Sequence, residues 1–562
     1  MERAGNFGSG LINIGMKPGQ STFVGIYAQN CLEWIIAEHG CYNQSMVNVP
    51  LYDTLGPSAC SFIIKEAEIP IVICDKEEKV FSLLQNLENC PCLKHIVVIN
   101  NISQGAHELA EKKKVSLHMF HEIEESGMKN PAPTVTPSPS DIATICYTSG
   151  TTGEPKGAMI SHYNLTISTT SMVHHLGSSA PHKEDVYLSF LPLAHLMERQ
   201  AQLLVLINGG RIGFYSGDIS LLFDDLKTLK PTFLVIVPRL LNKIHEKFTL
   251  LYVLRKGPSV NLYLEQKWHL NGDSTFDDSL IFKGVRQLMG GRIRFVLTAG
   301  APLSESIHKF FRCALNCVVV QGYGQTELTG ACTCQLPEDQ TVGNVGPPLP
   351  DCEIKLLDVA EMGYFASNNQ GEVCVRAQCA FQGYFKKPEQ TKEVIDQDKW
   401  LHTGDIGMWL PNGTLKIIDR KKNIFKLSQG EYIVPEKIES IYLTSKFISQ
   451  IFVYGDSLQS WLVGIAVPDK DALLPWCQSK SIKGTWKEIC ENKDVVNFIL
   501  ADVTKIGKEA GLKSFEQVKA IYLHPEPITV ESGLLTPTMK TKRTEFLKYF
   551  SFAISNMYSS LS

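Results

Sequence analysis

The sequence predicts a layered α/β protein: a large N-terminal domain of mostly parallel sheets carrying an added β subdomain, then a smaller α+β C-terminal domain. Three observations predict it. Between Gly19 and Asn101, apolar strand-like runs (22–27, 69–74, 95–99) alternate with helical patterns (31–42, 57–66, 78–87), the rhythm of βαβ units. From Asp351 the apolar runs shorten (352–357, 371–376, 415–418) and are punctuated by Gly and Asn, as in an antiparallel sheet. At Asp419-Arg420-Lys421-Lys422-Asn423 a charged run breaks the pattern, which divides the chain into 1–418 and 419–562.

In order along the chain, Glu2 to Ile14 reads as an amphipathic helix already under way at Met1, so a segment preceding it is expected to be missing. Asn130 to Pro139 holds four prolines in ten residues, an extended linker. The β-prone run 142–147 leads into the loop Tyr147 to Gly157. The alternation then resumes: a helix from Asn164, a strand at 186–191, a helix from His195, strands at 211–214 and 232–237, a helix from Pro238, a strand at 293–298, a helix from Ser304 and a strand at 318–321. Leu250 to Asp278 is read as helix and loop. Past the charged run come strand-like segments at 451–454, 461–468 and 520–523, helical stretches at 435–444 and 495–510, and a basic C-terminal segment.

Composition narrows the function. At 562 residues, against a soft prior of roughly 150 per module, the chain needs several cores. A hydrophobic share of 44% with 20% charged residues belongs to a soluble globular protein, and 54 basic against 58 acidic residues give no general pull toward nucleic acid. Sixteen cysteines without a repeating spacing read as reduced thiols of a cytosol-facing protein. Cys90/Cys92 and Cys332/Cys334 have no second pair at zinc spacing, so no metal site is expected there. No uncharged apolar run reaches about 18 residues, so neither a spanning helix nor a signal peptide is read.

The loop Tyr147-Thr148-Ser149-Gly150-Thr151-Thr152-Gly153-Glu154-Pro155-Lys156-Gly157 packs hydroxyls, glycines and one lysine behind a strand, a composition that wraps N–H and O–H donors around phosphate oxygens. It lacks the Gly-Lys-Ser/Thr triplet of the common P-loop, so it is a different nucleotide loop. Further on, Gly322-Tyr323-Gly324-Gln325-Thr326-Glu327 follows an apolar strand and offers a flat aromatic, close-approach glycines and a carboxylate suited to a hard cation.

Taken together, these strings resemble the core motifs of the adenylate-forming enzymes. Four more follow in the family's order: Thr298-Ala299-Gly300-Ala301-Pro302-Leu303-Ser304, Leu401-His402-Thr403-Gly404-Asp405, Asp419-Arg420, and Leu535 to Arg543. Phe190 to Arg199, Ile417 to Lys426, Gln429 to Ile433 and Gly533 to Thr538 look like the variants carried by long-chain fatty acyl-CoA synthetases, and the likeness spans essentially the whole chain.

The resemblance implies ATP-dependent activation of a fatty acid through an acyl-adenylate, with Mg2+ and coenzyme A. It implies that Thr148, Ser149, Gly150, Thr151, Thr152, Gly153 and Lys156 cradle the phosphates, and that Gly300, Ala301 and Pro302 present backbone to adenine. Tyr323 and Gly324 would face the base, Thr326 the α-phosphate, Glu327 the Mg2+, and Asp405 and Arg420 the ribose. His195 would line the acyl pocket, and Gly430 the pantetheine path. Lys540 would be the catalytic lysine, since Arg543 three residues on completes the family's Lys-x-x-Arg, with Lys542 the alternative. The resemblance implies an N-terminal membrane anchor, which is expected to be missing from this chain, and a place at the endoplasmic reticulum or the mitochondrial outer membrane. Gln321 stands where relatives often have glutamate, and the position that gates acyl entry in a bacterial relative falls near Arg199. The alternatives are a medium-chain or aryl acid:CoA ligase, and a truncated nucleotide-binding protein without turnover.

Overall fold

The computed structural model describes residues 1–52, 56–148, 155–245, 278–421, 423–428, 431–456, 458–536 and 540–561. Most of the expected stretch Leu250 to Asp278 therefore lies outside the described residues.

The first sheet contains β1 (Phe23–Tyr27), β2 (Val47–Pro50), β3 (Ile71–Cys74), β4 (His95–Val98), β5 (Ser116–Met119), β6 (Ile142–Thr148) and β7 (Lys156–Ser161), in the order β5-β4-β3-β1-β2-β6-β7. All its pairings are parallel except β6 with β7. Its inner strands are buried along almost their whole length, because helices cover both faces of a parallel sheet. Separate hydrophobic clusters fill the two sides. The helix Glu2–Asn13 joins one of them through Phe7 and Leu11, with Phe7 stacked on Phe120 at 4.3 Å.

The second sheet contains β8 (Val186–Ser189), β9 (Arg211–Phe214), β10 (Phe233–Ile236), β11 (Phe295–Thr298), β12 (Val318–Gln325) and β13 (Gly330–Cys334), in the order β13-β12-β11-β10-β8-β9. A third, antiparallel sheet is built from β14 (Cys352–Leu357), β15 (Gln370–Ala377), β16 (Leu401–Trp409) and β17 (Leu415–Arg420). After the short hairpin β18 (Phe425–Lys426) and β19 (Tyr432–Ile433) comes a three-stranded sheet, β20 (Ile448–Gly455), β21 (Leu462–Pro468) and β22 (Val518–Leu523), with apolar clusters on both faces.

Local chemistry explains where helices begin. Ser161 caps the helix His162–Leu176 reciprocally with Asn164, so the helix expected from Asn164 starts two residues earlier. Ser304 caps Glu305–Leu315 through the Ile307 N–H. The basic C-terminal segment is folded into helices Arg543–Tyr549 and Ser551–Leu561, and Phe546, Phe550, Ile554 and Met557 pack against one face of the last sheet. Short strands β2 (Val-Asn-Val-Pro) and β5 (Ser-Leu-His-Met) escaped the sequence reading because Asn, Pro and His dilute their β propensity.

Candidate active site

Those expected site residues that the structure describes are carried by the three sheets, the loop and helix start around them, and the C-terminal lobe. β12 delivers Tyr323, and the 3₁₀ turn Thr326–Leu328 that follows it delivers Thr326 and Glu327. Gly324 owes its identity to this pairing: at the bulge between β12 and β13 a Cβ there would sit 1.8 Å from the Gly330 carbonyl oxygen. The demand for a small residue is therefore made by the strand pairing itself.

On the third sheet Asp405 of β16 lies opposite Arg420 of β17. The buried Asp405 carboxylate receives the Tyr323 hydroxyl at 2.6 Å on Oδ2, and Arg420 Nε stands 3.3 Å from Oδ1. A carboxylate has about four acceptor positions, so two remain for the hydroxyls of a cis-diol. Burial, then the Asp405 charge, pushes the Tyr323 phenol well up, so it stays a donor. Burial works against the Arg420 charge, but Asp405, then Glu436, Tyr323 and Glu327, hold its pKa above the ordinary value.

Glu327 accepts the Tyr384 hydroxyl at 2.6 Å on Oε1, and the Tyr384 ring lies 5.3 Å from the ammonium of Lys156, the first residue of β7. The Phe381 N–H donates to the Glu327 carbonyl at 2.8 Å, and the Phe385 N–H to the Gly157 carbonyl at 2.8 Å. The segment 381–385 thus stitches the end of β12 to the phosphate-loop hairpin. Tyr384 was not singled out in the sequence; the only signal was its position in Gln382-Gly383-Tyr384, a turn after a strand. Thr148 closes β6, its hydroxyl 3.5 Å from the Lys156 carbonyl. Ser149, Gly150, Thr151, Thr152 and Gly153 lie outside the described residues, as do Lys422 and Gly430.

His195 is the N-cap of helix Leu196–Ile207; its Nδ1 accepts the Met197 N–H at 3.1 Å. Burial, then the nearby Lys540 cation, pulls its pKa down to about 4. The ring is therefore neutral, with its proton on Nε2. Gly300, at φ +87°, turns the loop after β11 beside this cap, and a Cβ on it would come within 4.0 Å of Met197 Sδ. Ala301 and Pro302 follow in that loop.

Lys540 reaches this cluster from the C-terminal lobe. Its own surface is open to water, yet the protein mass around its ammonium lowers its pKa, first by desolvation, then through Arg420, against the raising influence of Glu436 and Asp405. A hairpin presents it: Leu535 bridges Thr541, the Thr536 N–H donates to the Lys540 carbonyl at 2.7 Å, and the Lys540 N–H donates to Thr536 Oγ1 at 2.9 Å. Arg543 anchors the hairpin with a fork onto Glu439 at 2.8 and 2.9 Å and a bond to the Val453 carbonyl at 3.2 Å. The neighbouring Lys542 instead opens the helix Arg543–Tyr549.

A cation from the C-terminal lobe within electrostatic reach of a buried carboxylate that a tyrosine hydroxyl and an arginine also hold is an arrangement suited to an adenylate-forming enzyme. The comparisons with known proteins carry this further. The family model for AMP-binding enzymes matches residues 1–385. The chain is 47% identical to long-chain-fatty-acid–CoA ligase 5 of Mus musculus over 100% of its own length and 83% of the relative's. It is 47% identical to long-chain-fatty-acid–CoA ligase 1 of Homo sapiens over 99% of its length and 81% of the relative's. The solved adenylation domain of a carboxylic acid reductase from Segniliparus rugosus superposes with a TM-score of 0.82 at 26% identity, covering 100% of this chain and 86% of that one.

The chain belongs to the AMP-binding enzymes and, within them, to the long-chain-fatty-acid–CoA ligases. It uses ATP, Mg2+ and coenzyme A to convert a fatty acid to its acyl-CoA through an acyl-adenylate. Among the described residues no helix is long and apolar enough to cross a membrane.

Proposed function

We propose that the residues of the cluster divide the two half-reactions as follows. In the first, the fatty carboxylate attacks the α-phosphorus of ATP and expels pyrophosphate. Little covalent work falls to protein groups in such a transfer, so these side chains position the reactants and neutralise charge. Tyr323 and Gly324 face adenine together with Gly300, Ala301 and Pro302. Asp405 and Arg420 hold the ribose, Thr326 binds the α-phosphate, and Thr148, Ser149 to Gly153 and Lys156 hold the leaving pyrophosphate. His195 donates its Nε2 proton toward the carboxylate end of the acyl pocket. Lys540 brings positive charge to the reacting oxygens. The Glu327 carboxylate, an oxygen donor with one atom tied to Tyr384, suits Mg2+, which when bound neutralises phosphate charge.

The observation that carries this reading is that Lys540 lies within electrostatic reach of Asp405, Arg420 and His195 at once. The Segniliparus rugosus neighbour, solved with AMP and a co-purified carboxylic acid, supports the same use of the cleft.

In the second half-reaction the coenzyme A thiol attacks the acyl carbonyl of the adenylate, the acyl–phosphate bond breaks to release AMP, the thioester forms and the thiol proton leaves to solvent. We place the division between an adenylation domain, 1–418, and a lid, 419–562, whose rotation about Asp419 to Lys422 withdraws Lys540 and brings the Lys426 to Tyr432 loop, with Gly430, to the pantetheine path. β17 ends at Arg420, with Asp419 and Arg420 still paired to Ile406 and Asp405, so the Asp419 to Lys422 segment spans the end of the third sheet's ladder. The family resemblance further supports a cytosol-facing location at the endoplasmic reticulum or mitochondrial outer membrane.

Fatty-acid-dependent ATP/pyrophosphate exchange by the purified chain tests the assignment: palmitate supports exchange, octanoate and benzoate far less. Preference for benzoate or octanoate would move the chain to another acid:CoA ligase class, and no exchange with any acid would leave a nucleotide-binding protein.

Two residue-level outcomes follow. Tyr384→Phe frees the Glu327 oxygen it restrains and raises the Mg2+ concentration for half-maximal exchange by about tenfold, as loss of a ligand's supporting hydrogen bond does; an unchanged Mg2+ titration contradicts the role. The depressed pKa of His195 means that its imidazole stays neutral from pH 8 down to about 4 and charges only below that. The acid limb of kcat/KM is therefore the same in the native chain and in His195→Gln, which keeps an N–H donor. A limb near the ordinary histidine value of about 6.5 that vanishes in the variant speaks against a neutral donor.

A further inference from the structure

Where the second and third sheets meet, three side chains with metal-ligating atoms that the reaction does not use come together. Asp351 and Cys352 stand at the start of β14, and Cys379 lies just beyond the end of β15; a carboxylate oxygen and the two sulfurs are all within 4.8 Å of one another. Cys379 is fully buried, Cys352 is buried, and Asp351 is half-buried.

The backbone around them is tied down. Cys352 pairs with Ala377 across β14 and β15. The Cys379 carbonyl accepts Thr329 Oγ1 at 2.6 Å, and the flanking carbonyls of Gln378 and Ala380 accept Asn164 Nδ2 at 2.9 and 3.0 Å. Asp351 Oδ1 accepts Ser171 Oγ at 2.5 Å and Cys352 Sγ at 3.6 Å. Its second oxygen, Oδ2, is buried and has no hydrogen-bond partner. An acceptor left bare on a buried carboxylate is costly, and an ion is one of the few things that settles it.

We propose that Asp351, Cys352 and Cys379 form a structural site for one zinc-type divalent cation, distinct from the Mg2+ of the reaction. Two thiolates with one carboxylate select a borderline-soft, tetrahedral ion over Mg2+ or Ca2+. On binding, the two thiol protons leave to solvent and the metal takes their place. Thr329, whose hydroxyl donates to the Cys379 carbonyl, directly precedes β13, so a bound metal braces the strand pair that carries Tyr323.

The test uses the full chain, stripped with chelator and titrated with Co2+ alone, then with Zn2+. About one equivalent of Co2+ produces a thiolate charge-transfer band that Zn2+ abolishes, and X-ray absorption at the zinc edge shows at least two sulfurs near about 2.3 Å. Asp351→Asn, which keeps the size and the Ser171 contact, weakens binding by at least about tenfold; Cys352→Ser and Cys379→Ser remove the band. The proposal is overturned if the native chain gives no band, if the band survives both serine variants, or if peptide masses show Cys352 joined to Cys379. The zinc-edge measurement needs no variant, so a variant that fails to fold leaves the test intact.

Discussion

Lys540→Ala lowers fatty-acid-dependent ATP/pyrophosphate exchange by about 10²–10³-fold, the scale of removing one preorganised charge or donor from a transition state, and leaves thioester synthesis from supplied acyl-adenylate nearly untouched. The asymmetry comes from the lobe. Lys540 lies within electrostatic reach of Asp405, Arg420 and His195 in the arrangement described, whereas under the proposed rotation the thiol step follows once the lid has turned it away. Arg543 on Glu439 and the Val453 carbonyl holds the Lys540 hairpin to the lid and not to the large domain, so the lysine travels with the rotation. A pH signature accompanies the loss. Desolvation, then Arg420, lowers the Lys540 pKa in the free enzyme, so the active cation is lost at lower pH than from an ordinary lysine. The alkaline limb of kcat/KM for ATP thus falls below about 10.4, and Lys540→Arg shifts it upward. Equal losses in both half-reactions contradict the division of labour.

Arg199→Met destabilises the large domain by about 3–5 kcal/mol, the usual cost of stripping one partner from a buried ion pair. Arg199, only 2% exposed, pairs with Glu38, 6% exposed, and also donates to Thr144 Oγ1 at 3.0 Å, the Tyr42 hydroxyl at 3.2 Å and Asn48 Oδ1 at 3.3 Å. Burial opposes its charge, but Glu38, then Tyr42, hold it firmly ionised. These contacts reach from the helix Leu196–Ile207 of the second sheet layer to β2, β6 and the helix Leu32–Asn43 of the first. They fix the helix whose N-cap is His195. Replacing both charges, Glu38→Leu with Arg199→Met, recovers most of the loss because no unpaired charge remains. Denaturant unfolding followed by intrinsic fluorescence measures it; a loss under about 1 kcal/mol for the single variant refutes a bridging role. A residue so enclosed is also no gate for acyl entry.

The βαβ layers were legible because burial on both sheet faces writes long apolar runs, as in β3 and β4, between helical periods. β7 was not, since Lys156-Gly157-Ala158-Met159-Ile160-Ser161 opens with residues that belonged equally to the loop. The positions of Tyr323, Glu327, Asp405 and Lys540 could be read from motif order. The links between them could not, because Tyr384 meets Glu327 and Asp405 meets Tyr323 across sequence separations of 57 and 82 residues. The buried Glu38–Arg199 pair was equally silent: each charge, read alone, looks like a solvated helix face.

The most direct measurement is a crystal structure of the chain with a non-hydrolysable acyl-adenylate analogue. The account predicts both ribose hydroxyls on the Asp405 carboxylate, adenine against Tyr323 and the Gly300 to Pro302 loop, and the Lys540 ammonium within hydrogen-bond reach of the group that replaces the α-phosphate. A ribose bound away from Asp405, or Lys540 remote from the analogue while the lid stands as described, contradicts it.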